Sequence, residues 1–140
     1  MKKSFILLMC CCLLLACNNE ARINNLDIIL HAGGSADGLS YLNAQETFLH
    51  YYDMGYRNFE YDLRLSTDGR LIGTHSFEHI NNDKYEYSYE EFKSLRLENG
   101  FTPVNEEWLM DTIINFNDIT IVVDAKMDST DMDAAVLERL

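Results

Sequence analysis

The chain has 140 residues, 47% of them hydrophobic, with 11 basic against 23 acidic side chains and a net charge of −12. Binding to a phosphate backbone needs a basic surface, so no nucleic-acid partner is expected. All four cysteines (Cys10, Cys11, Cys12 and Cys17) fall at the amino-terminal end, so the rest of the chain has no disulfide staple and its fold must rest on a packed core.

Lys2 and Lys3 precede an apolar run over 5–15 that is short for a bilayer span. This is the pattern of a secretory signal. Its ending, Leu14-Leu15-Ala16-Cys17, resembles a bacterial lipobox. The resemblance implies cleavage before Cys17 and lipidation of that residue. The alternative is an ordinary signal peptide with an incidental cysteine. The expected organisation is a signal peptide over 1–16, lipidated Cys17 and a polar tether over 17–26, and one domain over 27–140. The expected location is that of an exported bacterial lipoprotein, anchored to a membrane on the periplasmic or cell-surface side.

The domain opens with a short strand over 27–30 that ends at His31, followed by a loop containing Gly33-Gly34 and Asp37-Gly38. A helix is expected over 43–54. Asn43 and Glu46 have capping-box spacing, Phe48, Leu49 and Tyr52 supply the apolar face, and Gly55 ends it. A second strand over 57–65 and a third over 71–74 flank Asp68-Gly69, a hairpin signal. Centring the turn on Asp68 and Gly69 places Asp62 opposite His75, with Glu60 two residues away on the same face.

A polar loop is expected over 81–87. Ser88 and Glu91 then have capping-box spacing for a short helix, and Pro103 breaks the chain. A helix over 105–116 carries Trp108, Leu109, Ile113 and Phe116. The run over 119–123 reads as a strand buried on both faces, as in a parallel sheet, and 131–140 reads as a further helix. Alternating strands and helices argue for an α/β fold with a parallel sheet.

The polar residues cluster at the strand ends. Glu60, Asp62 and Asp124 form a hard-oxygen donor set that suits Ca²⁺ or Mg²⁺; the plain alternative is solvated edge carboxylates. His31 and His75 titrate near neutrality and suit general acid–base work. Lys126, two residues after Asp124, either stabilises charge on a phosphate or forms an ion pair with Asp124. His50 and His79 carry no signal beyond their presence in a helix and a loop.

His31-Ala32-Gly33-Gly34, Asn43, Glu60-Tyr61-Asp62, Thr67-Asp68-Gly69, His75 and Asp124-Ala125-Lys126 together resemble the glycerophosphodiester phosphodiesterases. They fit in particular the branch resembling phosphatidylinositol-specific phospholipase C. The resemblance runs from about Leu26 onward. It implies a TIM (β/α)8 barrel, of which this chain is the N-terminal part. Such a barrel takes about 250 residues, so the 140-residue chain is expected to be incomplete and inactive alone.

The resemblance also implies a divalent cation, Ca²⁺ or Mg²⁺, on Glu60, Asp62 and Asp124. His31 and His75 would be the acid–base pair, and Lys126 would contact the phosphate. The partner would be a phosphodiester small molecule or a phospholipid head group. Three positions depart from the common pattern. Ala32 stands where the family commonly has arginine, Ser76 where it has aspartate, and Asp124 where it has glutamate. The second reading is a truncated or degenerate surface lipoprotein that binds a phosphorylated ligand without turning it over. A glycoside hydrolase, which also uses paired carboxylates, is a weaker third.

Overall fold

The computed structural model describes residues 28–77, 80, 86–97 and 100–126. Cys17 with the expected signal and tether, His79, most of the expected loop over 81–87 and the expected helix over 131–140 lie outside the described residues.

Strand β1 (Ile29–Leu30) runs into a tight turn at His31–Gly33. Helix α1 (Gln45–Asp53) leads to β2 (Asn58–Leu65), the longest strand. Strand β3 (Leu71–Gly73), short helix α2 (Tyr89–Lys93), helix α3 (Glu106–Asn115) and strand β4 (Thr120–Ala125) follow. Strands β1 and β4 pair with β2 in parallel and β3 pairs with it antiparallel. Phe59 is paired with both Leu30 and Ile121, and Leu63 with both Gly73 and Ala125. Strands β1 and β3 therefore share one edge of β2, and β4 takes the other.

Side chains alternate across a strand, and β2 uses both faces. Phe59, Tyr61 and Leu63 are buried with Phe48 of α1, Leu109 of α3 and Val104. Trp108 meets the ring of Tyr61 edge-on at 5.8 Å, and Phe48 lies 4.7 Å from Phe59. The opposite face of β2 carries Glu60, Asp62 and Arg64. A second cluster gathers Ile72, Ile80, Tyr87, Tyr89 and Phe92 around α2.

Several local expectations change. Helix α1 starts at Gln45, after Ala44, and Asn43 does not cap it. The Asn43 side chain is bound to Asp62 instead, and Glu46 accepts from the Thr102 N–H. The helix does end at Gly55, whose φ of +99° permits the closing bonds Gly55 N–H to Tyr52 and Tyr56 N–H to Tyr51. Leu49 and Ile113 are exposed, because Phe48 and Tyr52 on α1, and Leu109 and Thr112 on α3, take the packed positions.

The hairpin register is shifted by one residue from the one the turn signal implied, and the loop is wider. Leu65 pairs with Leu71 and Leu63 with Gly73. Ser66 is drawn into the loop, because its hydroxyl donates to Asp68 and accepts from the Arg70 N–H. Continuing the observed ladder places Thr74, and not His75, across from Asp62. Strand β4 is half-buried along 121–125 rather than buried on both faces. Its one described neighbour is β2, and only Ile121, Val123 and Ala125 face the core. The cap expected at Ser88 forms, with Glu91 accepting from the Ser88 N–H, and Asn105, at the expected start of its helix, caps it by accepting from the Trp108 N–H.

A candidate metal and phosphodiester site at the strand ends

The parallel register assembles the site. Leu30 lies beside Phe59, so His31 follows at the level of Glu60, and Asp62 is directly paired with Asp124. Donor atoms of His31, Glu60 and Asp62 lie within 4.8 Å of one another. Glu60 and Asp62 are buried, and His31 is exposed.

Each carboxylate is held by a different device. The turn after β1 puts Ala32 in a left-handed conformation (φ +49°), and its N–H donates to Glu60 Oε2 at 2.7 Å. Gly33 continues the turn at φ +72°, and a Cβ there would lie 2.5 Å from the Tyr61 ring. Only glycine fits that position without displacing the ring beneath it. His31 Nε2 lies 3.7 Å from the same Glu60 oxygen. The other oxygen, Oε1, is buried with no hydrogen-bond partner. Burial, and then the charges of Asp62 and Asp124, push the Glu60 carboxyl above its usual range.

Asp62 is gripped by Asn43. The amide Nδ2 donates to Asp62 Oδ2 at 2.9 Å, and the Asp62 N–H donates to Asn43 Oδ1 at 3.0 Å. Asn43 is itself fully buried at a positive φ of 46°. Lys126 Nζ sits 3.3 Å from Asp62 Oδ1 and also contacts Asp124 Oδ2. Its bond to Asp124, and then that to Asp62, hold the ammonium above the usual lysine range. Of the two readings of Lys126, the ion pair with Asp124 is present, and Asp62 joins it.

His75 lies apart from the cluster of His31, Glu60 and Asp62. Its backbone carbonyl accepts from Arg64 Nε and Nη2, each at 3.2 Å. The ring of Tyr41 contacts both candidate histidines, 4.8 Å from His31 and 5.9 Å from His75. His50 is an exposed residue of α1, against the Tyr51 ring.

Asn43, Arg64 and Tyr41 are the site residues whose parts sequence spacing does not reveal. Arg64 had a usable signal, because alternation from Glu60 and Asp62 puts it on their face. Tyr41 had none, since a tyrosine with positive φ cannot be read from residue type.

The donor set is chemically consistent with a divalent cation. Carboxylate oxygens dominate it, one imidazole adjoins it, and a buried carboxylate oxygen lacks a partner. Ca²⁺ and Mg²⁺ take such oxygens, whereas a thiolate site would select a softer metal.

No protein-family model matches the sequence, and none of the curated proteins does. Solved structures are similar, two of them as follows. One is a candidate glycerophosphodiester phosphodiesterase from Galdieria sulphuraria, at 21% identity and a TM-score of 0.63, covering 79% of this chain and 49% of that one. The other is a glycerophosphoryl diester phosphodiesterase from Parabacteroides distasonis ATCC 8503, at 24% identity and a TM-score of 0.55, covering 79% of this chain and 41% of that one. The chain thus spans less than half the length of either. The expected architecture holds: the described residues have the α/β fold of part of a TIM barrel, in the form seen in glycerophosphodiester phosphodiesterase structures.

Proposed function

We propose that the chain carries the first catalytic elements of a divalent-metal-dependent phosphoric diester hydrolase acting on glycerophosphodiesters or phospholipid head groups. The observation that supports this most is the buried Glu60, with one oxygen unpartnered, beside Asp62 and His31. Burying a carboxylate without a partner is costly, and a cation there offsets that cost.

Glu60 and Asp62, with Asp124 in register beside them, would hold Ca²⁺ or Mg²⁺. When bound, the cation would supply positive charge to the phosphate as negative charge accumulates. The remaining work falls to the chain. One of the imidazoles of His31 and His75 takes the proton of an attacking hydroxyl on the substrate, and the other protonates the leaving alcohol. Lys126 Nζ adds a contact to the phosphate, while Asn43 and the Ala32 N–H fix the two buried carboxylates.

One feature favours the second reading, a non-catalytic binder of a phosphorylated ligand. Lys126 supplies a counter-charge to Asp62 and Asp124 from within the chain. Turnover separates the two. The hydrolase reading expects glycerophosphodiester cleavage that needs Ca²⁺ or Mg²⁺ and is lost in both His31→Ala and His75→Ala. Ligand binding without cleavage, in a protein extended to the length of the similar structures, would favour the binder.

Attachment to a bacterial membrane through lipidated Cys17 is part of the same proposal and rests on the Leu14–Cys17 motif. Cys17→Ser should move the protein from the membrane to the soluble fraction, and unchanged retention would contradict it. Among the described residues no helix is long and apolar enough to cross a membrane.

A further inference from the structure

Tyr41 has no assigned part in the chemistry above, yet its conformation is unusual. Its φ is +59°, in the left-handed region that strains a bulky L-residue. Burial does not account for the strain, because the residue is 47% exposed. What its ring does make is two aromatic contacts. It meets His31 nearly perpendicular, at 88° and 4.8 Å, and His75 at 63° and 5.9 Å. It also lines two depressions. One, of about 320 Å³, is lined by His31, Gly34, Ser35 and Tyr51; the other, of about 70 Å³, is lined by Gly73, Thr74 and Ile80.

We propose that Tyr41 is a positioning residue, in ring contact with both His31 and His75, that sets the orientation of both imidazole rings. The proposal rests on the reading of these histidines as an acid–base pair. The His31 side chain is 55% exposed, and its Glu60 contact, at 3.7 Å, is too long to fix the ring. Edge-to-face packing supplies direction, because a ring edge prefers the face of its neighbour. Proton transfer requires each imidazole to lie within hydrogen-bond reach of its own oxygen, so orientation matters to both steps. One ring in contact with both imidazoles can set the direction of each.

The test compares Tyr41→Phe and Tyr41→Gly in the full chain. Ring carbon–proton NMR signals of the histidines and the thermal midpoint are read for each. Tyr41→Phe should keep both histidine signals in place. Tyr41→Gly should shift and broaden the ring signals of both His31 and His75, while the midpoint stays level or rises, because glycine accepts the positive φ. A merely structural Tyr41 would instead lower the midpoint, and signals that move for one histidine or for neither would also overturn the proposal. Where glycerophosphodiester turnover is measured, Tyr41→Gly should lower kcat by about tenfold or more with little change in KM, and Tyr41→Phe should restore it. A change confined to KM would contradict the positioning role. Absence of turnover in a protein extended to the length of the similar structures would count against the hydrolase reading alone, and the ring signals would still decide the part played by Tyr41.

Discussion

Glu60 is the residue at which burial and charge conflict most directly. Its side chain is almost wholly enclosed, one oxygen is held by the Ala32 N–H, and the other has no partner. Because its carboxyl titrates above the ordinary value of 4.5 in the fold, the folded state holds its proton more tightly than the unfolded state does. Stability should therefore fall as pH rises from that ordinary value through the raised one. Urea unfolding across the acidic range checks this, and Glu60→Gln should flatten the decline. Lys126 has the opposite character. Its raised pKa means that its contribution is full at neutral pH and is lost only in the alkaline range. Asn43 makes a third case at this scale. It holds Asp62 from both sides, so Asn43→Ala leaves a buried carboxylate and its N–H short of partners. The expected loss is about 3 kcal/mol, from two hydrogen bonds of which one is to a charged group. A loss under about 1 kcal/mol in denaturant unfolding would show that the grip is not structural.

At the scale of elements, strands were legible wherever composition and period agreed. The alternation of Phe59, Tyr61 and Leu63 with Glu60, Asp62 and Arg64 marks β2 and its two faces without further information. Asn105 with Trp108 and Ser88 with Glu91 mark their helix starts for the same reason: capping is a local exchange of hydrogen bonds. The Asn105 side chain accepts from both the Trp108 N–H and the Tyr89 hydroxyl. Asn105→Ala should accordingly cost about 2 kcal/mol, at the upper end for a cap, and thermal unfolding measures it. Asn43 was misleading because its spacing to Glu46 imitates a cap, while its partner, Asp62, is distant in sequence. The hairpin failed for a related reason. Ser66 binds Asp68 and Arg70 inside the loop, so the tight turn suggested by Asp68-Gly69 widens and the observed ladder ends at Leu63 and Gly73, without a pairing of Asp62 with His75. A one-residue slip reverses which face a side chain occupies, and residue type alone does not forbid it. Tyr41 lies beyond any such signal, because its position depends on a strained backbone in a loop.

For the whole molecule, the organising feature is a sheet with unlike faces. One face of β2 is closed by α1 and α3 through Phe48, Trp108 and Leu109, and the other gathers the chemistry. Parallel pairing on both sides of β2 makes the arrangement possible, since β1 delivers His31 and β4 delivers Asp124 and Lys126 to the same end. The fold class was readable from alternating strands and helices. The half-buried state of β4 was not, because an apolar run does not report how many neighbours will cover it. That strand has one described neighbour, whereas each strand of a closed barrel has two, in keeping with a chain that spans less than half of either similar structure.

The most direct test of the metal-dependent reading is a thermal-unfolding titration with Ca²⁺ and with Mg²⁺, on the unmodified protein and on Glu60→Gln. A cation that binds only the folded state stabilises it by about 2.7 kcal/mol at one hundred times its Kd. The account predicts a saturating rise in the midpoint with at least one of the two cations, and its loss in Glu60→Gln. No shift with either cation, in a protein that unfolds cooperatively, would contradict a metal site at Glu60 and Asp62 and leave Lys126 as the counter-charge of Asp62 and Asp124.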